Sequence, residues 1–97
     1  MNRKYELVYI VDCALAQEQK ETINKEATEA IAKIGGKVIN SKVWLEKQKF
    51  SFRIKKVFEG TYYLINFESV TSALADLRQR LKLNEQILRF LLTRAEE

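Results

Sequence analysis

The sequence predicts an α+β fold in which the elements run strand, helix, strand, strand, helix, strand. Three observations predict it. Apolar residues alternate with polar ones over 49–55 and group densely over 5–11, which is strand patterning. Two longer stretches, around 16–34 and 71–82, repeat their apolar residues at helical spacing. Gly35-Gly36 and Asn84 fall at the ends of those stretches, where the chain must turn.

Tyr5 to Val11 is the first strand. Tyr5, Leu7, Tyr9 and Val11 share one face, while Glu6, Val8 and Ile10 share the other. A helix follows over Ala16 to Ile34, with Ile23, Ala27, Ala30, Ile31 and Ile34 as its buried stripe. Its start lacks a good N-cap residue, but Gly35-Gly36 is a strong stop. Lys37 to Lys55 reads as a long second strand, bent or bulged around Leu45 to Gln48, and Val57-Phe58-Glu59-Gly60 as its hairpin connection. Thr61 to Glu68 is the third strand, with Tyr63, Ile65 and Phe67 inward and Tyr62 outward. The second helix spans Thr71 or Ser72 to Lys82 on a stripe of Leu74, Leu77 and Leu81, with Ser69 or Thr71 as N-cap. The last strand, Ile87 to Arg94, turns Leu88, Phe90 and Leu92 to the core and Arg89 and Leu91 outward.

This order is the split βαβ arrangement of ferredoxin-like folds, a four-stranded antiparallel sheet with both helices on one face. The chain of 97 residues suits one domain spanning 1–97. Its single cysteine forbids an internal disulfide, and no apolar run approaches the length of a membrane span, so a soluble intracellular protein is expected.

Charge is the feature that points to function. Residues 1–41 balance six basic side chains against six acidic ones. Residues 42–56 set Lys42, Lys47, Lys49, Arg53, Lys55 and Lys56 against Glu46 alone. The stretch from Lys42 to Phe67 also holds seven aromatic residues: Trp44, Phe50, Phe52, Phe58, Tyr62, Tyr63 and Phe67. Concentrated positive charge beside aromatic rings suits a nucleic acid, whose phosphates need cations and whose bases stack on rings. The competing reading is that lysines on an edge strand merely block aggregation and that the rings fill the core.

Catalysis finds little support. The chain has no histidine, and Cys13 is its only thiol. No cluster has metal-ligand spacing, so no cofactor or metal is expected, and no small-molecule substrate. The RNA recognition motif shares the topology, but Thr61 stands where that motif wants an aromatic.

The residues resemble a specific family, the sixth protein of the bacterial small ribosomal subunit, over essentially the whole chain. The resemblance is carried by Tyr5-Glu6, Gly36-x-Val38, Phe50-Ser51-Phe52-Arg53-Ile54-Lys55-Lys56, Gly60-x-Tyr62-Tyr63, Phe67 and Leu81-Lys82-Leu83-Asn84-Glu85-x-Ile87-Leu88-Arg89-x-Leu91, with Arg94 beyond. Arg53 stands where that family carries proline. The resemblance implies a structural protein, bound to the ribosome in the cytoplasm or an organelle. It implies binding to the central domain of small-subunit ribosomal RNA (rRNA), paired with the eighteenth small-subunit protein. On that reading Lys47, Lys49, Arg53, Lys55 and Lys56 are the candidate phosphate contacts. Arg3, Lys4 and Arg89 are secondary candidates, and Tyr62 is placed to stack on a base or pack on the partner. Open apolar area at Val8, Ile10, Leu64 and Leu91 would suit a protein partner. The alternative is a ferredoxin-like oligomerisation or interaction module without RNA contact.

Overall fold

The computed structural model describes residues 2–54 and 57–95, with backbone alone over 51–54. Strand β1 (Asn2–Asp12) leads into helix α1 (Gln17–Lys33), strand β2 (Lys37–Ile54) and strand β3 (Val57–Val70). A 3-10 turn over Thr71–Ala73 precedes helix α2 (Leu74–Lys82), and strand β4 (Arg89–Arg94) closes the sheet. The strands lie in the order β2-β3-β1-β4, with every neighbouring pair antiparallel. This is the expected ferredoxin-like split βαβ topology, with β2 at one edge and β4 at the other.

Alternation along β1 decides what is buried. Tyr5, Leu7, Tyr9 and Val11 pair in register with Phe67, Ile65, Tyr63 and Thr61 of β3, and all eight are buried. They join Ile23, Ala27 and Ile31 of α1, Leu77 and Leu81 of α2, and Leu92 of β4 in one core. Both helices therefore cover the same sheet face. Two buried hydroxyls on that face are satisfied: Tyr9 donates to Asn24 Oδ1 at 2.7 Å, and Tyr5 Oη lies 2.8 Å from Thr71 Oγ1. The Tyr9 and Tyr63 rings stack 5.1 Å apart and 4° from parallel.

Helix ends follow local chemistry. Gly35 takes φ +83, a left-handed conformation that glycine enters without steric cost. Its N–H bonds Ala32 O, and that of Gly36 bonds Ile31 O, which closes α1 with a Schellman motif. At the other end Ala16 has no side chain to cap with. The Gln19 side chain instead accepts the Ala16 N–H at 3.1 Å.

Three expectations need correction. Val57 to Gly60 is not a connection: β3 begins at Val57, which pairs with Ile54, because Val and Phe favour the extended chain. The last strand starts at Arg89, two residues late. A turn in which the Ile87 N–H bonds Asn84 O shifts the side-chain phase, so Ile87 rather than Leu88 is buried. Neither Ser69 nor Thr71 caps α2. The Ser69 hydroxyl bonds Val70 O, and Thr71 is engaged by Tyr5.

Candidate nucleic-acid interface

β1 pairs with β3 only as far as Gly60, opposite Asp12. β3 residues 57–59 and β2 residues 49–54 continue past that point as a pair, with one further bond from the Cys13 N–H to Glu59 O. The hairpin thus outruns the sheet as a two-stranded ribbon, by about 10 Å for three residues of β3. Register shifts between Val43 and Leu45, and again between Leu45 and Gln48, bend β2 at the base of this ribbon, where the sequence places the bulge.

Glycine at position 60 permits the packing there. A Cβ at Gly60 would lie 2.6 Å from both Ile10 Cγ2 and Phe50 Cζ. Phe50 therefore lies across Gly60 on the face opposite the helices, with its ring centroid 6.4 Å from that of Tyr62. Trp44, 53% exposed, also meets Tyr62, edge-on at 6.2 Å. Lys49 pairs with Glu59, so it projects on the helix side of the ribbon. Lys49 and Phe50 therefore point in opposite directions. The rings extend the open sheet face, and the described lysine of the ribbon lies behind them.

The predicted contacts fall into separate groups. Lys49 is exposed on the ribbon and Lys47 at its base, where Lys47 Nζ lies 3.5 Å from Glu59 Oε2. That pair is solvent-accessible, so it holds the lysine weakly. Arg53 is in β2, though its side chain, like all of Lys55 and Lys56, lies outside the described residues. Tyr62 is half-buried, with Trp44 edge-on and Phe50 tilted against it, and its side chain lines a groove on the open face. Arg89 is exposed on the open face, one strand from Ile10. Arg3 and Lys4 lie opposite Ser69 and Glu68. Glu68 lies nine positions along β3 from Glu59, so they stand about 30 Å from the ribbon and do not join it.

The open face carries a second feature. A groove of about 520 Å³ is lined by Val8, Ile10, Trp44, Tyr62 and Leu91, with Glu6 and Arg89 among its polar members. Trp44 and Leu91, at 53% and 60% exposure, form its outer rim. Lys42, opposite Leu64 on the same face, and Phe58 are also exposed; both belong to the basic and aromatic stretch of the sequence, and the register sets the face of each. On the helix side, burial first and then the neighbouring Tyr63 hold the Tyr9 hydroxyl far above the ordinary tyrosine range. Burial, followed by the carboxylates of Glu21 and Glu46, also raises Tyr63. Among the described residues no group of acids and thiols could hold a metal, and no helix is long and apolar enough to cross a membrane.

Comparison with known proteins fits this architecture. Residues 4–94 match the family described as Ribosomal protein S6. The chain is 34% identical over 95 residues to small ribosomal subunit protein bS6 of Dictyoglomus turgidum, covering 98% of this chain and 97% of that protein. It is 36% identical over 95 residues to the Micrococcus luteus protein of the same name, covering 98% and 93%. The crystal structure of 30S ribosomal protein S6 from Thermotoga maritima superposes with a TM-score of 0.86 at 25% identity, over 97% of this chain and 88% of that one. Fold and relatives define the class first: structural components of the small ribosomal subunit, not enzymes. The chain belongs to the ribosomal protein S6 family.

Proposed function

We propose that this chain, acting as one domain over residues 1–97, binds the central domain of small-subunit rRNA as a pair with ribosomal protein eighteen, on the cytoplasmic ribosome. The observation that carries the RNA reading is the ribbon. A thin two-stranded extension runs past the end of β1 and bears Lys49 exposed, with Arg53 further along the same strand and Lys47 exposed at its base beside α1. Phosphate recognition needs cations that can approach the RNA backbone without desolvating a core. Lys47, Lys49, Arg53, Lys55 and Lys56 make the phosphate contacts. Arg89 stands at the groove, while Arg3 and Lys4 at the far end of the sheet serve a separate contact. The groove beside Trp44 and Leu91 supports the protein partnership, because an apolar surface of this kind is stabilised when a partner covers it.

Filter binding with a central-domain rRNA fragment, with and without ribosomal protein eighteen, tests both parts. Retention should rise when the second protein is present and fall as salt is raised. No retention in either arm, together with self-association on gel filtration, would replace this reading with an oligomerisation module.

A further inference from the structure

Glu6 is half-buried on β1, an inner strand of the sheet, and lines the groove on the open face with Val8, Ile10, Trp44 and Leu91. Strands β1 and β3 direct three acids to that face: Glu6, Asp12 and Glu68. Two of them have company. Asp12 Oδ1 accepts the Ala14 N–H at 2.9 Å. Glu68 stands in register between Lys4 of β1 and Lys37 of β2. Glu6 stands between Asn66 of β3 and Thr93 of β4, and neither brings a charge. The Asn66 amide donates away from it, to Asn40 Oδ1 at 2.8 Å. Among the described residues no hydrogen bond or ion pair reaches the Glu6 carboxylate. Arg89, also at the groove, has an interaction of its own and stands opposite Ile10, about 13 Å along β1 from Glu6.

While the face is open, water solvates this carboxylate at no cost. Docking a partner in the groove removes that water. An ionised carboxylate shut into an apolar contact without a counter-charge is among the costliest groups to bury. The chain supplies no cation to meet it, so the partner must. A wholly apolar segment laid in the groove would leave Glu6 dry and unpaired, and an acidic one would set like charges together. The surroundings sharpen the choice. The chain carries a net charge of +4, and Lys4 and Lys42 share the open face, so a basic side chain is repelled over much of this surface. Glu6 is the local exception, and only a pose that sets a cation over it avoids both penalties.

We propose that Glu6 is the specificity anchor of the groove, receiving an arginine or lysine side chain of the docked protein partner while Val8, Ile10, Trp44 and Leu91 cover the apolar side chains around it. The inference rests on the protein partnership proposed above and adds the chemistry of the segment that docks: a cation flanked by apolar residues. The pair sets register as well as affinity, because the apolar contacts alone tolerate sliding along the strands and a charge pair at one point does not.

The test is calorimetric titration of the full chain with ribosomal protein eighteen, without RNA, comparing wild type with Glu6→Gln, Glu6→Lys and Leu91→Ser. Glu6→Gln keeps the shape and removes the charge, and it should weaken association by roughly thirtyfold because the partner's cation is left unpaired. Glu6→Lys should weaken it by roughly a hundredfold or more. The salt dependence of association should be flatter in Glu6→Gln than in wild type. Folding should be unchanged in Glu6→Gln, since the carboxylate has no bond within the chain to lose. Reversing the charge of one basic residue of the partner should restore binding to Glu6→Lys. The sign of the Glu6→Gln effect is decisive. Tighter binding would show that the partner covers the carboxylate without a cation, and would overturn the inference. Equal binding by Glu6→Gln with weaker binding by Leu91→Ser would also overturn it, while leaving the groove as the docking surface. Unchanged capture with self-association of Glu6→Gln on gel filtration would instead assign the charge to keeping the open face from a second copy. No association by wild type would remove the partnership itself.

Discussion

Phe50 occupies the space that a side chain on Gly60 would fill: its Cζ atom lies 2.6 Å from where a Cβ would stand, and Val11 O lies 3.0 Å away. The contact locks the base of the ribbon onto the end of the sheet. Gly60→Ala should therefore destabilise the protein by about 1–3 kcal/mol, the usual cost of overpacking. Urea denaturation measures it. Gly60→Ala combined with Phe50→Leu should recover part of the loss, because the shorter side chain yields the room. Additive losses would show that Phe50 is not what the methyl meets.

Lys49 on the ribbon and Lys47 at its base both stand beside Glu59, Lys49 as its strand partner and Lys47 with Nζ 3.5 Å from Glu59 Oε2. Glu59→Gln removes a negative charge from the path of the phosphates. It should raise RNA affinity a few-fold at low salt, with stability changed by less than about 0.5 kcal/mol because the pair is exposed. Lys49→Ala and Lys55→Ala should each weaken binding and flatten the salt dependence by roughly one counterion. Filter binding across a salt series separates these outcomes. Unchanged affinity in both lysine variants would return those residues to guarding the edge of β2.

Much of this architecture is legible in the residues because burial and periodicity agree. Tyr5, Leu7, Tyr9 and Val11 announce their common face, and Gly35 marks the end of α1, since few other residues reach φ +83 easily. The misreadings occur where a turn changes the phase. Ile87 takes the core position expected of Leu88 because of the bond to Asn84 O two residues before β4 begins. At the candidate interface, alternation places Lys49 and Phe50 on opposite faces, as found. It does not show that the ribbon passes the end of β1, and that is what leaves Phe58 exposed. The encounter of Lys47 with Glu59 depends on two register shifts that strand patterning does not encode.

Tyr9 makes folding sensitive to alkali. Its hydroxyl is buried and its folded-state pKa is raised, so the neutral form is the one the fold holds. The stabilisation is fully present below the ordinary tyrosine pKa of about 10, and is lost as pH rises from there toward the folded value, because the unfolded chain ionises first. Denaturation midpoints should fall above that pH. Tyr9→Phe should flatten the fall while lowering stability near neutrality by about 1 kcal/mol, as the bond to Asn24 is lost. An identical alkaline profile in Tyr9→Phe would place the sensitivity in other groups.

Trp44 and Leu91 offer a separation of binding from folding. Both are more than half exposed on the rim of the groove, so neither carries much of the core. Leu91→Ser should alter stability by no more than about 0.5 kcal/mol. It should nevertheless weaken the complex with ribosomal protein eighteen by roughly tenfold, because a rim residue covered on association becomes part of the interface centre. Trp44→Ala should do the same, with a larger loss because the indole also braces Tyr62. Isothermal titration of the two proteins, without RNA, reads the effect directly. A less negative heat-capacity change in both variants would confirm that apolar area is what the partner covers. Full affinity in both would move the docking surface elsewhere on the sheet.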